Sequence, residues 1–341
     1  MTVPRHAAAE NLHESSSGRP AAAGDPAELL ERHRTALTGF CYRMLGSAFE
    51  AEDAVQETLV RAWKAFDRYD ERRASPKAWL HAIAANVCTD MLRGARRRAL
   101  AVDLGPACEP GTPLGPPLPW RAFVQPVPDD RVLPSGDPAE LAVARETIRL
   151  AFVAALQHLP PRQRAVLILR DVLRWTAAEV AGLLGVTVTA VNSALQRARA
   201  TLKERDPDPG EPFAPLDAAQ RALLARYADA FERHDVEGMV ALLHEDATMQ
   251  MPPFGWWLRG RSAIRAALLG ADGHCHGSRL VPVAANGSPA FAQYTPREGV
   301  LAPWGLLILD VRGGRITGVT TFLDAEALFP LFGPPARPGG R

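Results

Sequence analysis

The sequence predicts a multidomain chain in which two all-α domains, a helical bundle and a helix-turn-helix, are followed by an α+β domain. Three observations carry this. Between residues 26 and 98 apolar residues recur at helical spacing. Two proline-rich stretches, 99–136 and 206–215, interrupt the periodicity and separate the ordered blocks. Beyond residue 216 helical patterning gives way to short runs that read as strands. At 341 residues, 47% of them hydrophobic, the chain is long for one compact domain and can fill more than one core.

Residues 1–25, rich in Ala, Ser, His and Gly, are expected to be disordered. Leu29, Leu30, His33, Leu37, Phe40, Cys41 and Met44 then predict a helix over 26–45. In EAEDAVQETLVRAWKAF the residues Val55, Leu59, Ala62, Trp63 and Phe66 form one apolar stripe, and Asp53, Gln56 and Glu57 lie on the other side. Ser75 as cap and Pro76 in the first turn open a further helix that closes on RGARRR. Trp79, Ile83 and Val87 make its buried stripe. Asn86, Asp90, Arg93 and Arg97 make a second, hydrogen-bonding and cationic row.

Residues 99–136 hold too many prolines for a helix and read as a linker, although Trp120 and Phe123 suggest that part of it docks. DPAE starts the second ordered block, 137–205, with a cap, a first-turn proline and a third-position acid; Leu141, Ile148, Phe152 and Leu156 follow its inner face. Thr176 with Glu179, the turn at Gly185 and the cap Thr187 outline a helix-turn-helix whose second helix buries Val191, Leu195, Ala198 and Leu202. Thr189, Asn192, Ser193, Gln196 and Arg197 are left for solvent or a major groove. After the second linker, 216–332 reads as helices followed by a strand meander with RGG as a hairpin turn, and 333–341 as a disordered tail.

The 39 basic and 38 acidic residues give a net charge of +1, so no overall cationic field holds nucleic acid, and DNA binding must be local or assisted. The four cysteines are too scattered for a metal knuckle or a disulfide framework, which fits a reducing cytoplasm. No apolar run is long enough to span a membrane, and the N-terminus lacks the apolar core of a signal peptide, so a cytoplasmic location is expected. No metal or cofactor is implied.

DAVQETLVRAW followed by WLHAIAANVCTDMLR resembles region 2 of the sigma factors of bacterial RNA polymerase, in the small extracytoplasmic-function (ECF) class. The helix-turn-helix resembles sigma region 4, and RGRSAIRAAL with TFLDAEALFPLFG resembles the SnoaL-like, ketosteroid-isomerase-like cone. The resemblance implies that Asp53, Gln56 and Glu57 grip a coiled coil on the large subunit of core polymerase. It implies that Asn86, Asp90, Arg93, Arg96 and Arg97 serve the minus-ten element, where a surface Asn pairs with a base edge and arginines neutralise phosphates. It gives Thr187, Thr189, Asn192, Ser193, Gln196 and Arg197 to the minus-35 element, with region 4 near the polymerase flap. The linker would thread toward the RNA exit path, where Asp129 and Asp130 suit a basic channel. Ala82 and Ala85 stand where many relatives carry arginine, so promoter preference does not carry over.

The function expected is promoter-specific transcription initiation, with the third domain as a built-in regulator and not an enzyme. An alternative is a fused isomerase- or cyclase-type enzyme acting on a small molecule. Asp229, His244, Asp246, Tyr227 and Tyr294 are available for it, but none sits in a motif that fixes a role. Trp256 and Trp257 could line a ligand pocket or plug the cone, and His274, Cys275 and His276 do not complete a zinc site. A plain repressor is a third reading; it would have no need of Asp53, Gln56 and Glu57.

Overall fold

The computed structural model describes residues 26–134, 137–205, 217–270 and 275–334. The expectations for 1–25, 206–215, the tail beyond Pro334 and His274 lie outside these residues. The first helical domain holds α1 (Pro26–Arg32), α2 (Arg34–Leu45), α3 (Ala48–Ala65) and α4 (Pro76–Met91). Gly46, at φ +70°, closes α2, and the Ser47 hydroxyl accepts from the Glu50 N–H to open α3. The buried face of α3 is Ala51, Ala54, Val55, Thr58 and Ala62, so small residues let α2 come close. Trp63, expected on that stripe, lies one residue further round and is 56% exposed.

Ser75 caps α4 and Pro76 takes its first turn, as expected. The helix nonetheless ends at Met91, because Gly94 turns the chain out at φ +75°. Arg93 and Arg97 therefore do not continue the row of Asn86 and Asp90. Arg98 turns inward, pairs with Glu50 and donates to the Phe123 carbonyl at 3.1 Å.

The proline-rich segment is not a free tether. Ala99 and Phe123 form a bridge, Val124 and Val127 are buried, and α5 (Asp129–Val132) follows. Its exposed middle is tied to the third domain: Cys108 N–H donates to the Trp257 carbonyl at 2.8 Å and Leu118 N–H to that of Pro253 at 2.8 Å. The Trp256 and Trp257 indoles donate to the Thr112 and Gly105 carbonyls at 3.0 and 2.9 Å. Prolines forbid a helix but leave carbonyls free to accept.

The second helical domain holds α6 (Pro138–Glu146), α7 (Leu150–Leu156), α8 (Pro161–Leu167), α9 (Ala177–Leu184) and α10 (Val188–Arg205). The single helix expected from Asp137 is broken at Arg149, which is extended and buried and reaches Ser288. The helix-turn-helix is as expected. Thr176 and Glu179 cap each other, Gly185 takes φ +64°, and Thr187 caps α10, which meets α9 at 103°. Val191, Leu195 and Ala198 are buried, and Leu202 is half-buried.

The third domain packs α11 (Ala218–Glu232), α12 (Val236–Leu242) and α13 (Arg261–Gly270) on one face of a six-stranded sheet. Its strands are β1 (Leu243–Gln250), β2 (Trp257–Arg259), β3 (Arg279–Ala285), β4 (Ser288–Arg297), β5 (Val300–Arg312) and β6 (Arg315–Phe322), in the order β2-β1-β6-β5-β4-β3. β1 runs parallel to β6, and the other pairs are antiparallel. Leu307, Leu309 and Val319 face the helices. Ala290, Leu306, Ile308 and Phe322 enter instead the apolar core shared by both helical domains. Cover on both faces explains the unbroken apolar run GLLIL. A last helix, α14 (Ala325–Phe332), packs its Phe329 on Tyr294.

Candidate nucleic-acid and protein interfaces

Asp53, Gln56 and Glu57 are exposed on α3, with Glu57 paired to Arg61 at 2.6 Å. Phe49, Val60 and Trp63, at 39%, 46% and 56% exposure, join them. Residues 49, 53, 56, 60 and 63 step by four, three, four and three, so apolar and polar side chains share one uncovered face. Sequence reasoning missed the apolar members, though their spacing was readable. An exposed tryptophan flanked by acids and an amide is suited to a protein partner.

Asn86 and Asp90 are exposed on α4; Arg93, Arg96 and Arg97 are exposed on the irregular chain after it. Arg93 pairs with Asp90 at 3.2 Å, and Arg97 meets His158 Nδ1 at 2.6 Å. On α10, Thr189, Asn192, Gln196 and Arg197 are exposed, whereas Ser193 is half-buried and the Thr187 hydroxyl is used as a cap. Each group lies together locally, but the first turns of α4 are covered by the second domain. Trp175 sits 5.2 Å from the His81 ring, which sits 5.4 Å from Phe40, and Lys77 Nζ lies 6.0 Å from Trp175. Burial lowers the His81 pKa to about 4, so this ring is neutral at pH 7.

The helical domains are sewn together by buried arginines. Arg43 donates to Thr147 Oγ1 at 2.8 Å and to the Ala144 carbonyl at 3.2 Å, and Arg164 donates to the Met44 carbonyl. At the centre of the molecule lies the β3–β4 hairpin tip, Asn286-Gly287, with φ +53° and +60°. Asn286 is fully buried. Its Nδ2 donates to Tyr42 Oη at 2.6 Å and to the Ile148 carbonyl at 2.7 Å, and its Oδ1 accepts from Val127 N–H at 3.0 Å. Gly287 N–H donates to Asp129 Oδ1 at 2.7 Å, and a Cβ at Gly287 would stand 2.6 Å from the Arg145 carbonyl oxygen. One two-residue turn thus touches α2, the proline-rich segment and the second helical domain. Asp129, expected in an exit channel, is here a buried acceptor whose pKa burial raises to about 6; Asp130 beside it is exposed.

Inside the third domain, helices and sheet enclose an apolar cavity of about 70 Å³, with Tyr227, Cys275, Gln293 and Thr321 as its polar lining. Among the described residues no carboxylate or imidazole lines it. Burial raises the Tyr227 phenol and the Cys275 thiol, so both are protonated at pH 7. Of the residues available for acid-base chemistry only Tyr227 reaches this cavity. His244 and Asp246 line a different, polar depression, Asp229 is exposed, and Tyr294 packs on Phe329. Trp256 joins the cone core and Trp257 the Phe123 cluster, so the pair clamps the proline-rich segment.

Comparison with known proteins places these surfaces in families. Residues 29–98 match the model of Sigma-70 region 2, residues 149–202 that of Sigma-70 region 4, and residues 224–319 the SnoaL-like domain. The ECF RNA polymerase sigma factor SigG of Mycobacterium tuberculosis is 43% identical over 332 residues, covering 95% of this chain and 88% of the relative. SigJ of the same organism is 32% identical over 245 residues, 70% of this chain and 67% of its own length. The crystal structure of SigJ superposes with a TM-score of 0.56 at 25% identity, over 87% of this chain and 96% of that one.

Proposed function

Because the chain belongs to the ECF sigma factors of RNA polymerase, we propose that its third domain is a built-in regulator that clasps the two promoter-reading domains until polymerase engages them. The chain is a transcription initiation factor, with sigma regions 2 and 4 ahead of a SnoaL-like domain. In this reading Asp53, Gln56 and Glu57, with Phe49, Val60 and Trp63, contact the large-subunit coiled coil. Asn86, Asp90, Arg93, Arg96 and Arg97 serve the minus-ten element in the cytoplasm. The exposed face of α10 serves the minus-35 element, with its domain held near the flap.

The observation that supports the clasp is the Asn286-Gly287 turn, whose polar groups are shared among three segments that must separate to span a two-part promoter. The Trp175 contact with His81 supports it, since it covers part of the helix assigned to the minus-ten element. The fused-enzyme reading gains no support from a small cavity that no carboxylate lines among the described residues.

Asp129 gives the clasp a pH dependence that tests it. Its pKa is raised to about 6 in the clasped form, from an ordinary 3.8 when released. The clasped form therefore binds the proton more tightly, and clasping strengthens as pH falls from 6 toward 3.8. The full linkage is on the order of 3 kcal/mol. Above pH 6 that contribution is gone. Energy transfer between dyes on α3 and α10 should report a shorter mean distance at pH 5 than at pH 7.5. Asp129→Asn, uncharged but still an acceptor for Gly287 N–H, should stay clasped across the range. An equal pH response in that variant would refute the role of Asp129, and no response in either protein would count against the clasp.

A further inference from the structure

Where the end of α4, the proline-rich segment and the start of α8 meet, a cleft of about 650 Å³ is lined by Arg96, Arg97, Arg98, Arg121 and Arg164. Among the described residues Glu50 is the one carboxylate in its lining, and it is already paired with Arg98. The exposed guanidinium groups of Arg96, Arg97 and Arg121 are thus left without a carboxylate in one concavity of a chain whose net charge is only +1. Arg164, 4% exposed, forms the floor: its terminal nitrogens donate to the Met44, Gln157 and Leu159 carbonyls and to Gln157 Oε1, and only its Nε has no hydrogen-bond partner. His158, against Arg97, has its pKa lowered first by burial and then by Arg97 and Arg205, which marks a positive local potential. Leu45, Met91 and Leu159 supply an apolar wall.

We propose that this cleft binds a small polyphosphate anion, a run of adjacent phosphoryl groups either free or carried by a nucleoside. Guanidinium forks match phosphoryl oxygens two at a time, and several cations from separate segments are satisfied together only by an anion with several charged groups. A single carboxylate or chloride would leave most of them unpaired. The lining residues come from both sides of the clasp. The site is complete only while the helical domains are closed, so the inference rests on the closed arrangement proposed above, and the anion would hold that arrangement shut.

Titration calorimetry of the full chain at low salt, with inorganic tripolyphosphate and in parallel with GTP, tests this. One site is expected. Arg121→Glu should weaken tripolyphosphate binding roughly ten- to hundredfold, the worth of one or two charge-assisted hydrogen bonds. Tighter binding of GTP than of tripolyphosphate would assign the apolar wall to the nucleoside, and equal binding would assign the site to the phosphates alone. No saturable binding, or binding that Arg121→Glu leaves unchanged, would overturn the proposal. So would a short DNA single strand that binds more tightly than either probe and displaces it, because the cleft would then be a nucleic-acid track. Asn286→Gly, which loosens the clasp, should weaken binding as well. If it does not while Arg121→Glu does, the anion site stands and the closed-state reading falls.

Discussion

Replacing Asn286 with glycine is expected to release the two helical domains and to raise promoter-dependent transcription by core polymerase at least about tenfold. Glycine keeps the turn, since φ +53° suits it, and removes only the side chain. The Ile148 carbonyl and Val127 N–H lose the partner they find in Asn286, while Tyr42 Oη loses a donor but keeps its own donation to the Gln125 carbonyl at 2.8 Å. Leaving a buried polar group without a partner costs about 1–3 kcal/mol, so the two together weaken closure by roughly 2–6 kcal/mol. A factor of ten needs only about 1.4 kcal/mol, so the effect should survive partial compensation by water. Run-off transcription at limiting sigma concentration measures it, with dye-to-dye distance as the structural readout. An unchanged rate together with an opened molecule would mean that closure does not limit initiation, and a molecule that stays closed would remove the turn from its assigned role.

Reversing charge at Asp53 and Glu57 together, each to lysine, should abolish holoenzyme formation, weakening polymerase affinity a hundredfold or more. Both side chains are exposed, and only the Glu57–Arg61 surface pair is lost from the fold, worth less than about 1 kcal/mol. Like charges set against a complementary partner cost several kcal/mol. Trp63→Ala should weaken the same association by roughly 2 kcal/mol, since an exposed indole beside the polar contacts is a typical anchor. Co-elution with purified core polymerase reads both, and thermal melting checks that the fold persists. Normal co-elution of the double variant would remove α3 from the polymerase interface.

The helices and strands were largely legible because each depends on local spacing and end chemistry. Ser75, Pro76, Thr176, Glu179 and Gly185 all act where the sequence predicts. The end of α4 was missed because the arginines after Met91 fit a helix as well as a coil, and Gly94 decides between them. The break at Arg149 answers to a serine 139 residues away, which no local pattern contains. The docking of residues 99–134 was only half legible. Apolar Trp120 and Phe123 hinted at it, but the carbonyls of Gly105 and Thr112 that receive the indoles carry no side-chain signal. Asn-Gly between alternating apolar residues marks a hairpin, yet nothing in its neighbours says that the hairpin would penetrate two other domains.

The continuous apolar interior shared by both helical domains and one side of the sheet has a further consequence for the life of the molecule. Parting these pieces bares Trp175, Ile308 and Phe322 to water at once, so a parted copy with nothing to lean on would clump. Separation is therefore best completed on the surface of the polymerase itself. Cells that make this protein in excess of free polymerase would accumulate it shut and harmless, not sticky.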